Sequence, residues 1–175
     1  MRANPTYPDA FGTAVGASST INSGVNSATL STVQGYTSIY STIQSDLDTT
    51  ADVVFIAGGI NDWQLGVNAT TLTTAMTNIC TYLTSNYTGK VIFITPINHA
   101  GRTPMKTPTQ SIDSVRKIIT EIAIANGYSV VQGWQFPFPV KGANADYIST
   151  MFTDLIHPTQ VGYNTYAKAL QTALI

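Results

Sequence analysis

The sequence has few charged residues and no excess of either sign. Of its 175 residues, 10% are Asp, Glu, Lys or Arg, and eight basic residues stand against nine acidic ones, whereas soluble chains average about 25% charged residues. A chain without a basic excess cannot neutralise a phosphate backbone, so we do not expect a nucleic-acid partner. Uncharged polar residues must then cover much of the surface, a bias that favours an extracellular or virion-associated protein.

The sequence also has only one cysteine, Cys80, which excludes an intramolecular disulfide. Cys80 shares helical spacing with four apolar residues, which predicts a buried structural thiol rather than a reactive one; the four are Leu72, Met76, Ile79 and Leu83. No apolar stretch approaches the roughly 20 residues of a membrane span, and Met1-Arg2 does not open a signal peptide. We therefore expect no membrane span.

What the sequence does contain is an alternation of short apolar runs and amphipathic stretches. Residues 52–57 and 90–95 are continuous runs rich in β-branched and aromatic residues, a composition typical of strands buried on both faces in a parallel sheet. Residues 128–131 form a shorter candidate strand and residues 20–22 a weaker one. These segments predict a mostly parallel sheet.

Helices are predicted between these strands. The Cys80 stripe marks one, and a second has its apolar face between Ile112 and Ile122, with Thr107 as N-cap and Gly127 as C-terminal stop. Further helices are predicted after His157-Pro158 and near residues 7–15 and 36–43. Strands alternating with helices predict an α/β fold, a three-layer α/β/α sandwich, and we expect one domain over residues 1–175.

Two loops combine residue types that could carry chemistry. Asp154 and His157 are three residues apart in a turn that enters a helix, where a carboxylate can reach the imidazole and fix its tautomer. The alternative is a capping Asp beside a surface His. Asn61 follows a buried strand through Gly58-Gly59, and its amide could donate to an oxyanion. The alternative there is an ordinary Gly-Asn-Asp turn.

The two loops together resemble a known family. Gly59-Ile60-Asn61-Asp62 resembles the third conserved block, Gly-x-Asn-Asp, of the SGNH/GDSL hydrolases, and Asp154 to Pro158 resembles their fifth block, Asp-x-x-His, followed by Pro and a downstream Gly-Tyr. Residues 7–29 resemble the family's first helix, second strand and second block. The resemblance covers nearly the whole chain and implies the flavodoxin-like sandwich of serine esterases.

The sequence departs from the family pattern at two positions. Ser27 stands where the second block has a glycine whose backbone N–H contributes to the oxyanion hole. The nucleophile block, Gly-Asp-Ser after a first strand, does not occur in the 175 residues. From the register of the second block we expect it, with that first strand, shortly before Met1, so that the domain is N-terminally incomplete. Ser18, in Gly16-Ala17-Ser18-Ser19-Thr20, is the only internal candidate, and a loop serine is the favoured interpretation.

The resemblance implies ester hydrolysis through an acyl-enzyme intermediate, without a metal or organic cofactor. It assigns His157 as general base, Asp154 as its orienting acid, and the Asn61 amide with the Ser27 N–H as oxyanion donors. Short acyl esters, including those on carbohydrate, are the implied substrates. The alternative function is a catalytically inactive carbohydrate-binding or surface module of the same fold, which would account for the missing nucleophile block. The sequence leaves the oligomeric state open.

Three further segments are candidates for substrate contact. His99, with Arg102, follows the second long strand, although solvated loop side chains are the favoured interpretation of both residues. Trp63 follows Asn61-Asp62 and could line a pocket or anchor the core. Residues 134–139 form an aromatic loop, for which a role in the core is favoured.

Overall fold

The computed structural model describes residues 7–101, 104–140, 142–154 and 157–174. These residues form two compact units: one contains the described residues within 1–22, 97–102 and 133–175, the other those within 23–96 and 103–132. The elements, in chain order, are α1 (Tyr7–Val15), α2 (Ile39–Asp46), β1 (Val53–Ala57), α3 (Ile60–Gln64), α4 (Ala69–Asn86), β2 (Lys90–Ile94), α5 (Ile112–Ala125), β3 (Ser129–Val131), a 3₁₀ turn (Gly133–Gln135), α6 (Ala145–Met151) and α7 (Gln160–Leu174).

The second unit contains a parallel sheet in the order β1-β2-β3. Ile56 pairs with Phe93, and Ile94 pairs with Val131. In β2 every residue after Lys90 is buried, so the side chains on both faces of this central strand are shielded from water. The predicted α/β class with a parallel sheet is confirmed, and its strands are the two continuous apolar runs and the shorter candidate at residues 128–131.

Helices α4 and α5 connect the strands and pack against each other. Each begins at a polar side chain that accepts a main-chain N–H: Asn68 from Thr71, and Ser111 from Ser114. The predicted N-cap at Thr107 is therefore wrong by four residues, because Ser111 satisfies the first-turn amides. Gly127, at φ +81°, follows the end of α5 as predicted.

The predicted apolar stripe of α4 is the centre of the core in this unit. Five of its side chains are completely buried: Leu72, Met76, Ile79, Cys80 and Leu83. Burial raises the pKa of the Cys80 thiol from its ordinary value of 9.0 to about 11. The prediction of a buried structural thiol is confirmed.

The first unit contains α1, α6, α7 and the segment from Gly133. Helix α1 packs against α7, and the Gln171 amide donates to the Ala14 carbonyl over 3.1 Å. Phe136 and Phe138 are buried against Tyr166, and Phe138 also packs against Phe152. These aromatic contacts join the segment after β3 to helix α7.

Several local predictions differ from the structure. Residues 20–22 form no strand, and Ile21 is 66% exposed, because this single apolar residue has polar neighbours and no packing partner to cover it. Helix α2 begins at Ile39 rather than near Tyr36, since Ser38 accepts the Ser41 N–H as N-cap. Helices α3 and α6 were not predicted. Among the described residues, no helix is long and apolar enough to cross a membrane.

Candidate active site

Asp154 and His157 form a close pair in the loop between α6 and α7. Asp154 Oδ2 lies 2.7 Å from His157 Nδ1, and Asp154 Oδ1 accepts the main-chain N–H of His157 over 2.8 Å. The carboxylate thus holds both the ring and the backbone of the same residue. The residues between them, 155 and 156, lie outside the described part of the chain.

This pairing determines which ring nitrogen can react. With Nδ1 bonded to a carboxylate, the neutral imidazole carries its proton on Nδ1 and leaves the Nε2 lone pair to accept one. The His157 and Asp154 side chains are 64% and 55% exposed. An ion pair this exposed contributes only about 0–1 kcal/mol to stability. The Asp154–His157 pair therefore contributes little to the stability of the fold.

A short antiparallel bridge closes the loop that carries this pair. Phe152 bridges Pro158, and the Thr153 N–H and hydroxyl both donate to the His157 carbonyl, over 2.8 and 2.9 Å. The Thr159 N–H donates to the Met151 carbonyl over 2.9 Å. Hydrogen bonds therefore hold both the His157 carbonyl and the Thr159 N–H.

Gly162, in the first turn of α7, allows this loop to pack closely. A Cβ at position 162 would collide with the Met151 carbonyl and approach the Pro158 Cβ to 2.9 Å. The Gly162 N–H donates to the Thr159 hydroxyl over 3.1 Å. Glycine is therefore required at this position of the Gly-Tyr pair, because a larger residue would push α7 away from the loop.

In the second unit, Gly58 and Gly59 connect β1 to α3. Gly59 has φ +97°, and a Cβ there would lie 2.7 Å from Ile119 and 3.0 Å from Val115. Glycine is required both by the backbone conformation and by the contact with α5. This turn places Asn61 and Asp62 in the first turn of α3, directly after the sheet.

Asn61 and Asp62 both bind the segment that contains the second block. The Asn61 amide donates to the Ala28 carbonyl over 2.8 Å. Asp62 is completely buried, and its two oxygens accept the N–H groups of Leu30, over 2.8 Å, and Ser31, over 2.9 Å.

Ser27 lies immediately before this bound segment and has φ +59°, the only positive φ among the described residues other than glycine. Ser27 thus adopts a left-handed backbone conformation that a glycine would adopt freely. Such a conformation costs on the order of 1 kcal/mol and persists where the surroundings determine it. The backbone geometry at this position suits a glycine, as the family pattern implies.

The remaining candidates lie in different settings. Trp63 is half-buried and packs against the core of the second unit, so its side chain contributes to that core.

Asn98 donates its amide to the Trp134 carbonyl over 3.0 Å, which connects the loop of half-buried His99 to the aromatic segment. In that segment Phe136 and Phe138 are buried, as favoured, whereas Trp134 is 47% exposed. Contact of Trp63 or His99 with substrate stays a prediction, and Arg102 lies outside the described residues.

The structure thus brings together Asp154 with His157, and Asn61 with the residues next to Ser27; the first pair belongs to one compact unit and the second group to the other. Ser18 lies in an exposed bend after α1. Among the described residues, no group of three or more His, Cys, Asp or Glu side chains could hold a metal ion.

Sequence reasoning did not assign a role to Asp62. Asp62 was considered only as part of a Gly-x-Asn-Asp block. Its hydrogen bonds to residues 30 and 31 are long-range contacts, which no local pattern shows. A signal was present in that Asp62 lies in the turn region after an apolar strand that ends at Ala57, where burial of a carboxylate requires hydrogen-bond partners.

The model of the GDSL-like lipase/acylhydrolase family matches residues 1–165. The chain therefore belongs to the GDSL-like lipase/acylhydrolase family. No curated protein sequence matches it.

Solved structures support the same fold. A protein from Lactobacillus plantarum superposes with a TM-score of 0.84 at 19% identity, covering 99% of this chain and 89% of its own. A lipolytic-family G-D-S-L protein from Desulfitobacterium hafniense DCB-2 gives 0.69 at 16%, covering 96% and 87%. The acetyl xylan esterase AlAXEase gives 0.71 at 16%, covering 99% and 92%. At these identities the likeness shows the fold alone.

Proposed function

We propose that this protein is a serine-type carboxylic ester hydrolase that acts on small acyl esters, including acetyl groups on carbohydrate, through an acyl-enzyme intermediate. The observation that carries the proposal is the pair of hydrogen bonds from Asp154 to His157, which hold the ring through Nδ1 and leave Nε2 outside this contact. Family membership supports the reaction class. The likeness to an acetyl xylan esterase supports the substrate class.

In the proposed mechanism a serine hydroxyl attacks the acyl carbonyl while His157 Nε2 accepts its proton. Asp154 stabilises the imidazolium that forms. The tetrahedral intermediate then collapses, and His157 returns the proton to the leaving alcohol. Water repeats the sequence to release the acid and restore the serine. We assign the Asn61 amide and the Ser27 N–H to the oxyanion.

The sequence pattern does not identify the serine that acts as the nucleophile with His157 and Asp154. A fluorophosphonate reacts only with a serine activated by a neighbouring base, so mass spectrometry of the labelled protein would locate it. Labelling of Ser18 would place the whole triad in residues 1–175. Labelling at no residue of the full-length protein, together with absent hydrolysis, would favour the alternative of a catalytically inactive carbohydrate-binding module.

The direct test is hydrolysis of p-nitrophenyl acetate and of acetylated xylooligosaccharide, with the wild type compared with His157→Ala. General acid–base catalysis contributes about 10²- to 10⁴-fold, so kcat/KM should fall by that factor. Lys117→Ala, on the exposed face of α5, is the matched surface control and should keep full activity. A His157→Ala variant with wild-type activity would refute the assignment of the base.

A further inference from the structure

The carboxylate of Asp62 is buried without an ion pair among the described residues, and its partners are two main-chain N–H groups. A buried carboxylate is costly unless it is fully hydrogen-bonded, and bonds from main-chain N–H groups to an ionised oxygen are stronger than neutral ones. Consecutive N–H groups, those of Leu30 and Ser31, each bond a different oxygen. The carboxylate therefore fixes the position and the orientation of this segment.

The bound segment begins one residue after Ser27. The Asn61 amide holds the Ala28 carbonyl, the Ala28 N–H closes a turn onto the Val25 carbonyl over 3.3 Å, and Thr29 forms a parallel bridge with Ser38. Ser27 is thus followed on its C-terminal side by four residues that are each bound. The left-handed φ of Ser27 is a conformation that such a restraint can maintain.

We infer that Asp62 is a positioning residue for ester hydrolysis: through Leu30 and Ser31 it holds the turn that directs the Ser27 N–H toward the oxyanion. This inference rests on the proposed function, because it assumes that the Ser27 N–H binds an oxyanion. Asp62 acts through the turn and does not touch the substrate. The contact also explains why an aspartate follows the asparagine in the Gly-x-Asn-Asp block of this chain.

Amide hydrogen exchange tests the restraint without any need for activity. In the wild type the Leu30 and Ser31 amides should exchange at least about 100-fold more slowly than that of exposed Gly35, since both are hydrogen-bonded to a buried group. In Asp62→Asn one N–H would face an amide NH₂ instead of an oxygen. We expect exchange at Leu30 or Ser31 to accelerate at least about 10-fold, while the Phe93 amide in β2 keeps its rate.

Two exchange results would overturn the inference. One is wild-type exchange at Leu30 and Ser31 as fast as at Gly35, which can be measured even if Asp62→Asn does not fold. The other is equal acceleration at Leu30, Ser31 and Phe93 in Asp62→Asn, which would assign Asp62 to global stability alone. Asp52→Asn, an exposed aspartate beside β1, serves as the matched control and should leave all three rates unchanged.

Kinetics test the positioning role itself. A displacement of about 1 Å in a catalytic group can cost on the order of 10²-fold, so Asp62→Asn should lower kcat by about that factor and leave KM within about threefold. Ile79→Val, a mild core change, should lower stability and not kcat. A normal kcat in folded Asp62→Asn would refute the positioning role. An inactive wild type with slow Leu30 and Ser31 exchange would instead refute the proposed function and leave the restraint in place.

Discussion

Asp154 binds His157 twice, once through the ring nitrogen at 2.7 Å and once through the main-chain N–H at 2.8 Å. The two bonds use different carboxylate oxygens, so the carboxylate is fixed relative to the peptide that carries the imidazole. A pair this exposed gains little stability from its charge. The consequence of losing it should therefore appear in catalysis and not in folding.

We expect Asp154→Asn to lower kcat on p-nitrophenyl acetate by about 10³- to 10⁴-fold with little change in the melting temperature. The amide can still accept the His157 N–H, but it no longer favours the tautomer with the proton on Nδ1. Stopped-flow or steady-state kinetics with thermal denaturation would measure both. Asp146→Asn, an exposed aspartate at the start of α6, is the control, and equal losses in the two variants would contradict the assignment.

Asn61→Ala should lower kcat by about 10²- to 10³-fold, which is the usual cost of removing one oxyanion donor. Its matched control is Asn68→Ala. Asn68 caps α4 through a bond to the Thr71 N–H, and losing such a cap costs about 1 kcal/mol of stability.

The contrast between these two asparagines is the test. Asn68→Ala should unfold at a lower denaturant concentration and keep its kcat, whereas Asn61→Ala should lose more in kcat than in stability. If Asn61→Ala loses only stability, the Asn61 amide does not bind the oxyanion.

The sequence was sufficient to predict elements with continuous or periodic apolar character. Strands β1 to β3 and the α4 stripe were predicted because burial on both faces, or along one helical face, leaves a pattern in the residue types themselves. The Asp154–His157 contact could also be predicted from the sequence, since a carboxylate three residues before a histidine in a turn can reach its ring. The ring contact of 2.7 Å agrees with this pair, while the bond from the His157 N–H to the same carboxylate is the capping contact of the alternative.

Predictions were incomplete where a long-range contact decides the local structure. Gly58-Gly59 indicated a turn, and α3 was missed because its start depends on the packing of Gly59 against α5. The N-cap of α5 was misplaced because Thr107 and Ser111 have equivalent chemistry, and the tertiary position of the preceding segment selects between them. The bond of Asp62 to Leu30 and Ser31 joins residues more than 30 positions apart and has no local signature.

Gly59 and Gly35 both have a positive φ, +97° and +83°, but differ in their surroundings. A Cβ at Gly59 would meet Ile119 and Val115, whereas nothing lies within 4 Å of a Cβ at Gly35. We expect Gly35→Ala to cost about 1 kcal/mol, the penalty of the backbone conformation. Gly59→Ala should cost about 1–3 kcal/mol more, from overpacking against α5.

Urea denaturation of the two variants would measure this difference in the free energy of unfolding. Gly59→Ala should also lower kcat, since the displaced turn carries Asn61. Equal destabilisation in both variants would mean that α5 moves aside at little cost, and that the glycine is required only for its φ.

Cys80 provides a pH-dependent test of the core. Its thiol is completely buried and its pKa is raised to about 11 in the folded protein, from an ordinary value of 9.0. Between these values the folded state binds more protons than the unfolded state, so the stability that the thiol contributes is fully present below pH 9 and is lost as the pH rises toward 11. Cys80→Ala removes this titration and adds a pH-independent packing cost.

The free energy of unfolding of wild type minus that of Cys80→Ala, measured by denaturant between pH 8 and 11, should therefore be constant up to about pH 9 and then decline. Below pH 9 the native thiol should react with a thiol-specific disulfide reagent only as fast as the protein unfolds, because the thiolate is both rare and inaccessible. Rapid labelling of native protein at pH 8, or a difference that stays flat to pH 11, would show that the α4 stripe opens to solvent and that Cys80 is not part of a closed core.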